Sequence, residues 1–286
     1  MQTELWLFYT AIVVLGLCVG SFLNVVVYRL PLIMERDWKT ECHAFLELQG
    51  EPPVDAALNK LGLATPRSAC TACGHTLSAW ENIPLLSYLL LGGKCSSCKQ
   101  RISLQYPLVE LFTAVLSLIV AMHFGVTLAM LAALLFTWSL IALALIDYHK
   151  QLLPDSITYP LLWLGIALAF RGDFTTLESS VVGAMAGYLS LWLVYHLFRL
   201  VTGKEGMGHG DFKLLAALGA WCGWQLLPVI ILLSSLVGSV AGILMLLTGL
   251  TRRAQPIPFG PYLAAAGWIA LLWGPAINDA WLAVFR

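Results

Sequence analysis

Long apolar runs separated by short polar breaks dominate the sequence. The first run extends from about Phe8 to Tyr28. After a polar stretch, seven more follow at residues 107–122, 127–146, 157–170, 178–198, 213–225, 227–248 and 260–277. A helix needs about 20 predominantly apolar residues to cross the hydrocarbon core of a bilayer. The pattern predicts an all-α polytopic membrane protein with about eight transmembrane helices, of which the run at 213–225 is short for a full crossing.

A long polar insert lies between the first and second apolar runs. It contains Glu, Lys, Arg and Pro and lacks a run long enough to span a bilayer. The apolar stretch Leu85–Leu91 is too short to cross, so it forms either the insert's own core or a piece that lies on a surface. We expect three parts: a first transmembrane helix in residues 1–29, the insert at 30–105, and a core of about seven helices at 106–286.

Composition agrees with a membrane protein. Of the 286 residues, 59% are hydrophobic and 11% are charged, whereas soluble domains carry roughly 25% charged residues. The formal net charge is zero, so no basic character indicates nucleic-acid binding. The first run has Glu4 and no Lys or Arg ahead of it, which favours a retained span in the lipid bilayer over a cleaved signal peptide.

The basic residues predict the orientation of the chain. With the N-terminus outside, the insert and the loops near residues 150, 205 and 252 all fall on one side. Fourteen of the sixteen Lys and Arg residues then lie on that side, and only Arg171 and Arg286 do not. The positive-inside rule makes this side the cytoplasm.

Four of the seven cysteines form two Cys-x-x-Cys pairs within the insert, namely Cys70, Cys73, Cys95 and Cys98. Four thiolates suit a tetrahedral zinc ion, and a closed site of this kind is structural rather than catalytic. Gly74 suits the tight turn of such a site. Two disulfides are the alternative, which a reducing cytoplasm disfavours. The remaining thiols are expected to be ordinary packed side chains: Cys18, Cys42 and Cys222.

A glycine-rich stretch, Gly206-Met207-Gly208-His209-Gly210-Asp211, leads directly into an apolar run. Glycine permits backbone conformations and close approaches that other residues resist. A carboxylate carried into an apolar membrane segment is costly and by default indicates a functional site. The alternative is a turn in which Asp211 is a helix N-cap.

A second carboxylate, Asp147, ends the apolar run at 127–146 and is expected at the same membrane edge as Asp211. A negative charge at a helix C-terminus is disfavoured by the helix dipole, which argues against a merely solvated helix end. Asp155, after Pro154, is expected to be an N-cap. Two carboxylates held close together can share a proton, so that one activates a water while the other polarises a peptide carbonyl.

These features together resemble a known family. Gly208-His209-Gly210-Asp211, with Asp147 at the end of an earlier helix, resembles the GxGD membrane aspartyl proteases. Together with the Gly20–Pro31 stretch and the four-cysteine insert, the chain is similar to the bacterial prepilin peptidases along nearly its whole length. In the Gly20–Pro31 stretch, Ser21 and Asn24 serve either close helix packing or a polar site.

The resemblance implies an activity. Asp147 and Asp211 would be the catalytic pair of an inner-membrane endopeptidase whose active site faces the cytoplasm. Its substrates would be type IV prepilins and type II secretion pseudopilins, cut after the last glycine of a basic leader. The resemblance further implies methylation of the new N-terminus with S-adenosylmethionine as cofactor. Because a soluble donor must bind from the cytoplasm, we expect its site around Asn24–Pro31 and Trp80–Gly93.

Three alternatives remain open at this point. A secondary transporter also uses membrane carboxylates, but these should lie near the bilayer midplane and be accompanied by an internal repeat. A zinc-dependent scaffold would account for the cysteines but not for two aspartates at the membrane edge. A peptidase that only cleaves would lack the methylation step.

Overall fold

The computed structural model describes residues 2–47, 56–249 and 257–284. Within these residues the chain is helical apart from turns and two isolated β-bridges. It divides into two units, Met1–Val126 and Thr127–Arg286. The first unit contains α1 (Gln2–Phe45), α2 (Ala56–Asn59), α3 (Leu86–Leu90) and α4 (Gln105–Phe124). The second contains α5 (Leu128–Lys150), α6 (Asp155–Ala169), α7 (Leu177–Thr202), α8 (His209–Cys222), α9 (Leu227–Leu247) and α10 (Gly260–Val284).

The helices confirm the predicted fold class. Of the helices in the described part of the chain, six are long and apolar enough to cross a membrane, and two apolar helices, α6 and α8, are shorter. These eight correspond to the eight predicted segments. The protein is therefore a membrane protein with several spans, and the four-cysteine insert lies between the first two of them.

In the first unit, α1 packs closely against α4 because glycine removes side-chain bulk from the contact. A Cβ built on Gly16 would lie 2.6 Å from the Ala114 Cα, and one built on Gly20 would lie 2.6 Å from the Glu110 Cα. Gly16 and Gly20 therefore serve close helix packing, whereas Ser21 and Asn24 line a cavity of the same unit.

The first helix continues far beyond the apolar run that predicted it. It passes Tyr28 and Pro31 without a break and ends at Phe45. Proline removes only one backbone hydrogen bond, and the polar residues that follow favour helix, including an i,i+4 ion pair between Glu35 and Lys39. The end of the hydrophobic pattern thus marks the end of the apolar surface and not the end of the helix.

Two arginines of this extension hold the returning chain of the insert against it. The Arg29 side chain is buried and donates to the backbone carbonyl of Gly62 at 2.9 Å. Arg36 donates to the carbonyls of Leu58 and Leu61. These charge-assisted hydrogen bonds attach the insert to α1.

In the second unit, α8 is the central helix. Eleven of its fourteen residues are buried, by packing against α6, α7 and α10. The α7–α8 contact is backbone to backbone, since a Cβ on either Gly183 or Gly219 would collide with the carbonyl oxygen of the other. This enclosure explains why α8 is apolar on all sides from Leu214 onward, although the helix is short.

Three sequence expectations are settled by burial. The Leu85–Leu91 stretch contains α3, whose leucines Leu89 and Leu90 are 67% and 77% exposed, so it is a surface piece and not a core. The expectation of packed thiols holds for Cys222, which is buried, and is wrong for Cys18 and Cys42, which are exposed. Those two cysteines lie on outward positions of α1, where helical periodicity leaves them without neighbours.

Candidate active site and metal centre

The four cysteines of the insert come together in one cluster. All four Sγ atoms lie within 4.8 Å of one another. Cys70 and Cys98 are 3.8 Å apart, and Cys73 and Cys95 are 4.0 Å apart. A tetrahedron with Zn–S bonds of about 2.3 Å has sulfur–sulfur edges of about 3.8 Å. The cluster therefore has the donor set and the spacing that a tetrahedral metal requires, and no disulfide joins the four thiols.

Two similar backbone turns present these thiols. In the first turn the Cys70 amide donates to the His75 carbonyl, and Gly74 adopts a left-handed φ of 71°. In the second the Cys95 amide donates to the Gln100 carbonyl, and Lys99 takes the corresponding conformation with φ 58°. The tight turn expected at Gly74 is present, and it is repeated at a position where the sequence has no glycine.

The Glu81 carboxylate connects the two turns. It lies 3.4 Å from the His75 Nε2 atom of the first turn and bonds to the Ser96 side chain of the second. Hydrogen bonds from Ser96 and from the Ser78 amide and hydroxyl hold the pKa of the Glu81 carboxyl at about 2. An ionised carboxylate between the two turns can orient the surrounding groups, as outer-shell partners of metal sites do.

Asp211 lies at the start of α8, where irregular chain becomes helix. The helix is capped by Gly208, and Asp211 is its third residue, so the N-cap alternative is wrong. The Asp211 side chain is 7% exposed, and its Oδ1 atom has no hydrogen-bond partner among the described residues. Buried polar atoms are almost always paired, so an unpaired carboxylate oxygen indicates a place for a reacting group.

The glycines before Asp211 differ in what they allow. A Cβ on Gly210 would lie 2.8 Å from the Leu153 Cβ, and one on Gly206 would lie 2.9 Å from the Phe198 ring. A Cβ on Gly208 would meet nothing closer than 4.0 Å. The segment after α5 therefore approaches the start of α8 at Gly210, whereas Gly208 leaves open space.

Asp147 lies within the last turn of α5, which ends at Lys150. It is only 6% exposed, so a solvated helix end is the wrong interpretation. Its Oδ2 accepts a hydrogen bond of 2.9 Å from the amide of Gly260, the first residue of α10. An amide at a helix N-terminus stabilises a negative charge, which offsets the unfavourable position of Asp147 at the end of its own helix.

Gly260 is a site residue that sequence reasoning missed. A Cβ at this position would lie 2.7 Å from the Asp147 Oδ2 atom, so only glycine lets the carboxylate reach the amide. The available signal was the Pro258-Phe259-Gly260-Pro261 helix start, but nothing in the sequence relates it to a residue more than a hundred positions earlier.

The two aspartates both lie in the second unit, and their carboxyl groups interact electrostatically. Both are buried, one is fixed by a helix-terminal amide and the other has an unpaired oxygen. A buried pair of this kind can share a proton and so supply a base and an acid at one place.

Asp155 has a different role from the expected one. The N-cap of α6 is Pro154, and Asp155 is the first helical residue. Both its carboxylate oxygens accept from Lys213 Nζ at 2.8 Å. The N-cap expectation is therefore wrong, because a partner 58 residues away binds the side chain.

A cavity of about 430 Å³ lies within the first unit, between α1, α4 and the insert. Its lining includes Asn24 and Tyr28 of α1 and Ser87 of α3, in the region where we expected the methyl donor. It also includes Glu110 of α4, a buried carboxylate that we did not single out. The sequence did contain a signal for this residue, because Glu110 is the one acidic residue of the apolar run at 107–122.

Comparison with known proteins gives the same family for both units. Residues 14–124 match the bacterial peptidase A24 N-terminal domain, and residues 134–243 match the type IV leader peptidase family. No solved structure gives a significant match.

Three similar full-length relatives carry the name prepilin leader peptidase/N-methyltransferase. The protein of Pseudomonas aeruginosa is 59% identical over 96% of this chain and 93% of its own. That of Stutzerimonas stutzeri is 57% identical over 98% and 95%, respectively. That of Pseudomonas putida is 56% identical over 94% and 92%.

Proposed function

We propose that Asp147 and Asp211 form the peptidase centre of this chain, which belongs to the type IV leader peptidase family and is a prepilin leader peptidase and N-methyltransferase. The observation that carries the assignment is the burial of two interacting carboxylates at one place, one of them with an unpaired oxygen. Among the described residues of the second unit, these two carboxylates are both buried and interact with each other.

The hydrogen bond from Gly260 distinguishes the two carboxylates. An amide that donates to a carboxylate favours its ionised form, so Asp147 is the base that takes a proton from the attacking water. Asp211 then holds the shared proton and donates it to the carbonyl oxygen of the scissile peptide. When the tetrahedral intermediate collapses, the C–N bond breaks and the leaving amine receives the proton from Asp147. One hydroxyl of the intermediate returns its proton to Asp211 as the new carboxyl group forms, which restores the pair.

The substrates are type IV prepilins and, by the same chemistry, type II secretion pseudopilins. We place the site at the cytoplasmic edge of the bacterial inner membrane with the N-terminus outside, on the distribution of Lys and Arg. A substrate whose basic leader stays in water and whose apolar helix lies in the bilayer presents its junction at this edge. Cleavage follows the last glycine of the leader.

We further propose that the cysteine cluster holds one structural zinc ion. Four thiolates complete its coordination and leave no position for water, so the metal stabilises the fold of the insert. Because its coordination is closed, the ion takes no part in hydrolysis.

The direct test is mass spectrometry of a purified prepilin incubated with the full-length enzyme and S-adenosylmethionine. We expect two products in sequence, the chain without its leader and then the same chain with one added methyl group. An intact leader after incubation with folded enzyme would contradict the peptidase assignment, and cleavage elsewhere than after glycine would contradict the stated specificity.

The glycines near the aspartates should differ in their importance. We expect Gly210→Ala and Gly260→Ala each to lower the rate of leader removal at least about tenfold, because the added methyl group displaces Leu153 or the Asp147 carboxylate. Gly208→Ala is the matched control and should retain most of the activity, because its methyl group enters open space. Rates are measured on one prepilin at equal amounts of membrane-inserted enzyme. An equal loss of cleavage rate in Gly208→Ala and Gly210→Ala would show that steric crowding is not the reason why these positions are glycine.

A further inference from the structure

The cavity of the first unit has the size and lining of a small-molecule site. Its volume of about 430 Å³ lies within the range of roughly 300–1,000 Å³ for ligand pockets. It contains a buried carboxylate, Glu110, together with three aromatic rings, those of Tyr28, Tyr88 and Tyr106. Aromatic faces and a carboxylate are the groups that bind organic cations.

Glu110 is a buried carboxyl group without a charged partner. Its side chain is on a helix inside the apolar part of the chain and is only 7% exposed. The Oε2 atom accepts from the Leu85 amide at 2.7 Å, and the Ser21 side chain also bonds to the carboxylate. Both donors are neutral. Among the described residues, no Lys, Arg or His forms an ion pair with Glu110.

Arg29 and Arg101 both line the cavity, and neither forms an ion pair with Glu110. Arg29 lines the same cavity, but its guanidinium donates to the carbonyls of Gly62 and Leu63. A carboxylate enclosed in this way is costly unless a positive charge joins it. A cationic ligand that enters the cavity would supply that charge.

The backbone next to Glu110 is held in an uncommon conformation. Leu85 has φ 60° and ψ −46° and forms a three-residue γ-turn, closed by a bond from the Leu86 amide to the Pro84 carbonyl. A non-glycine residue in this region is strained, and such strain concentrates at functional sites. The Glu110 carboxylate stabilises the turn and so fixes α3, which carries Ser87 and Tyr88 into the cavity wall.

N-methylation brings two cations together. The new N-terminus of the cleaved substrate is an ammonium group, and the methyl donor is a sulfonium. We propose that this cavity is the methyl-transfer site, and that Glu110 binds the substrate's ammonium group and accepts the proton that it loses. The proposal rests on the N-methyltransferase half of the proposed function and is independent of the aspartate pair.

Methyl transfer begins with the removal of a proton from the substrate. Glu110 takes one proton from the ammonium group, which leaves a lone pair on nitrogen. That lone pair forms the new N–C bond as the C–S bond of the sulfonium breaks, and the bonding electrons remain on sulfur to give a neutral thioether. The methylated amine keeps its remaining protons, and the Glu110 proton returns to water.

Binding of the donor tests the cavity itself. Ser87→Trp should fill the cavity, because Ser87 lines it. Leu90→Trp is the matched control on the same helix, 77% exposed and not part of the lining. Equilibrium dialysis of labelled S-adenosylmethionine against the full-length enzyme should show affinity lowered at least about tenfold in Ser87→Trp and unchanged in Leu90→Trp. Wild-type affinity in Ser87→Trp would exclude the cavity as the donor site.

Glu110→Gln tests the role of the charge. The amide oxygen of Gln still accepts from Leu85, so the turn is kept while the base is lost. We expect methylation of a pre-cleaved pilin to fall about 100-fold at neutral pH, while affinity for S-adenosylmethionine stays within about twofold of wild type. Without its base, the variant relies on spontaneous loss of the amine proton. Its rate should rise about tenfold per pH unit up to the amine pKa of about 8, and the wild-type rate should rise less.

The wild type and the Glu110→Gln variant share every other ionisable group that lines the cavity. These groups are Arg29, Glu81, Arg101, Cys70 and Cys95, in addition to the tyrosines. The difference between the two pH profiles therefore belongs to Glu110. A wild-type rate and pH profile in Glu110→Gln would overturn its role. Because the substrate is pre-cleaved, neither result depends on the aspartates. Leader removal by the same preparations reports on folding and tests the peptidase assignment separately.

Discussion

Replacement of either aspartate by asparagine should abolish leader removal. We expect Asp147→Asn and Asp211→Asn each to lower the cleavage rate at least about 10⁴-fold, as loss of one member of a catalytic unit does. Asparagine keeps the size of the side chain but can neither accept the proton of the water nor donate one to the carbonyl. In Asp147→Asn the Gly260 amide still finds an oxygen to bond, so the loss reports on charge rather than on structure.

The cleavage assay uses a purified prepilin and enzyme of verified membrane insertion. Asp155→Asn is the control, because it removes a carboxylate that pairs with Lys213 on a partly exposed surface, where an ion pair contributes about 0–1 kcal/mol. Its rate should remain within a few-fold of wild type. Asp211→Asn should still methylate a pre-cleaved pilin. Appreciable cleavage by either asparagine variant would exclude the paired mechanism, and loss of methylation in a folded variant would indicate one shared site.

Loss of a single cluster cysteine should remove the metal and unfold the insert. We expect about one zinc per chain in the wild type and little in Cys95→Ser, because Cys95 is the most enclosed of the four ligands. Binding of a structural zinc contributes about 10–16 kcal/mol at neutral pH. Without it, the insert should exchange its amide protons rapidly and be cut by proteases between residues 60 and 104.

Zinc content is measured by elemental analysis of purified protein, and amide exchange is compared residue by residue. Cys42→Ser is the control, since Cys42 is exposed and lies outside the cluster. It should keep its zinc and its exchange protection. Two disulfides without metal in the native protein would contradict the assignment. Exchange in α5 to α10 should be unchanged in Cys95→Ser, since those helices form a separate unit.

Features that follow from local sequence could be predicted. Eight apolar runs gave eight apolar helices because a membrane helix satisfies its backbone within its own segment. The cysteine cluster followed from two short motifs of equal spacing. Asp147 and Asp211 followed from the high cost of a carboxylate in an apolar segment. The family comparison supports the peptidase interpretation and leaves nothing in favour of a transporter, a scaffold or a cleavage-only enzyme.

Features that depend on distant contacts could not be predicted. The partner of Asp147 is an amide 113 residues later, and that of Asp155 is a lysine 58 residues later. Neither distance leaves a periodic or compositional signal. Glu110 is different, because it is a carboxylate within an apolar segment, as Asp211 is, and could have been singled out for the same reason. It was overlooked because the apolar run around it indicated only a transmembrane helix.

The unbroken course of α1 makes the insert responsive to the thickness of the bilayer. Because α1 continues through Pro31 to Phe45, the part beyond Tyr28 is a lever arm about 25 Å long at a rise of 1.5 Å per residue. Helices adjust to thinner or thicker bilayers by changing their tilt. A change of about 10° would displace the far end of this arm by about 4 Å. Lipid composition should thereby act mechanically on the part of the enzyme that carries the four cysteines.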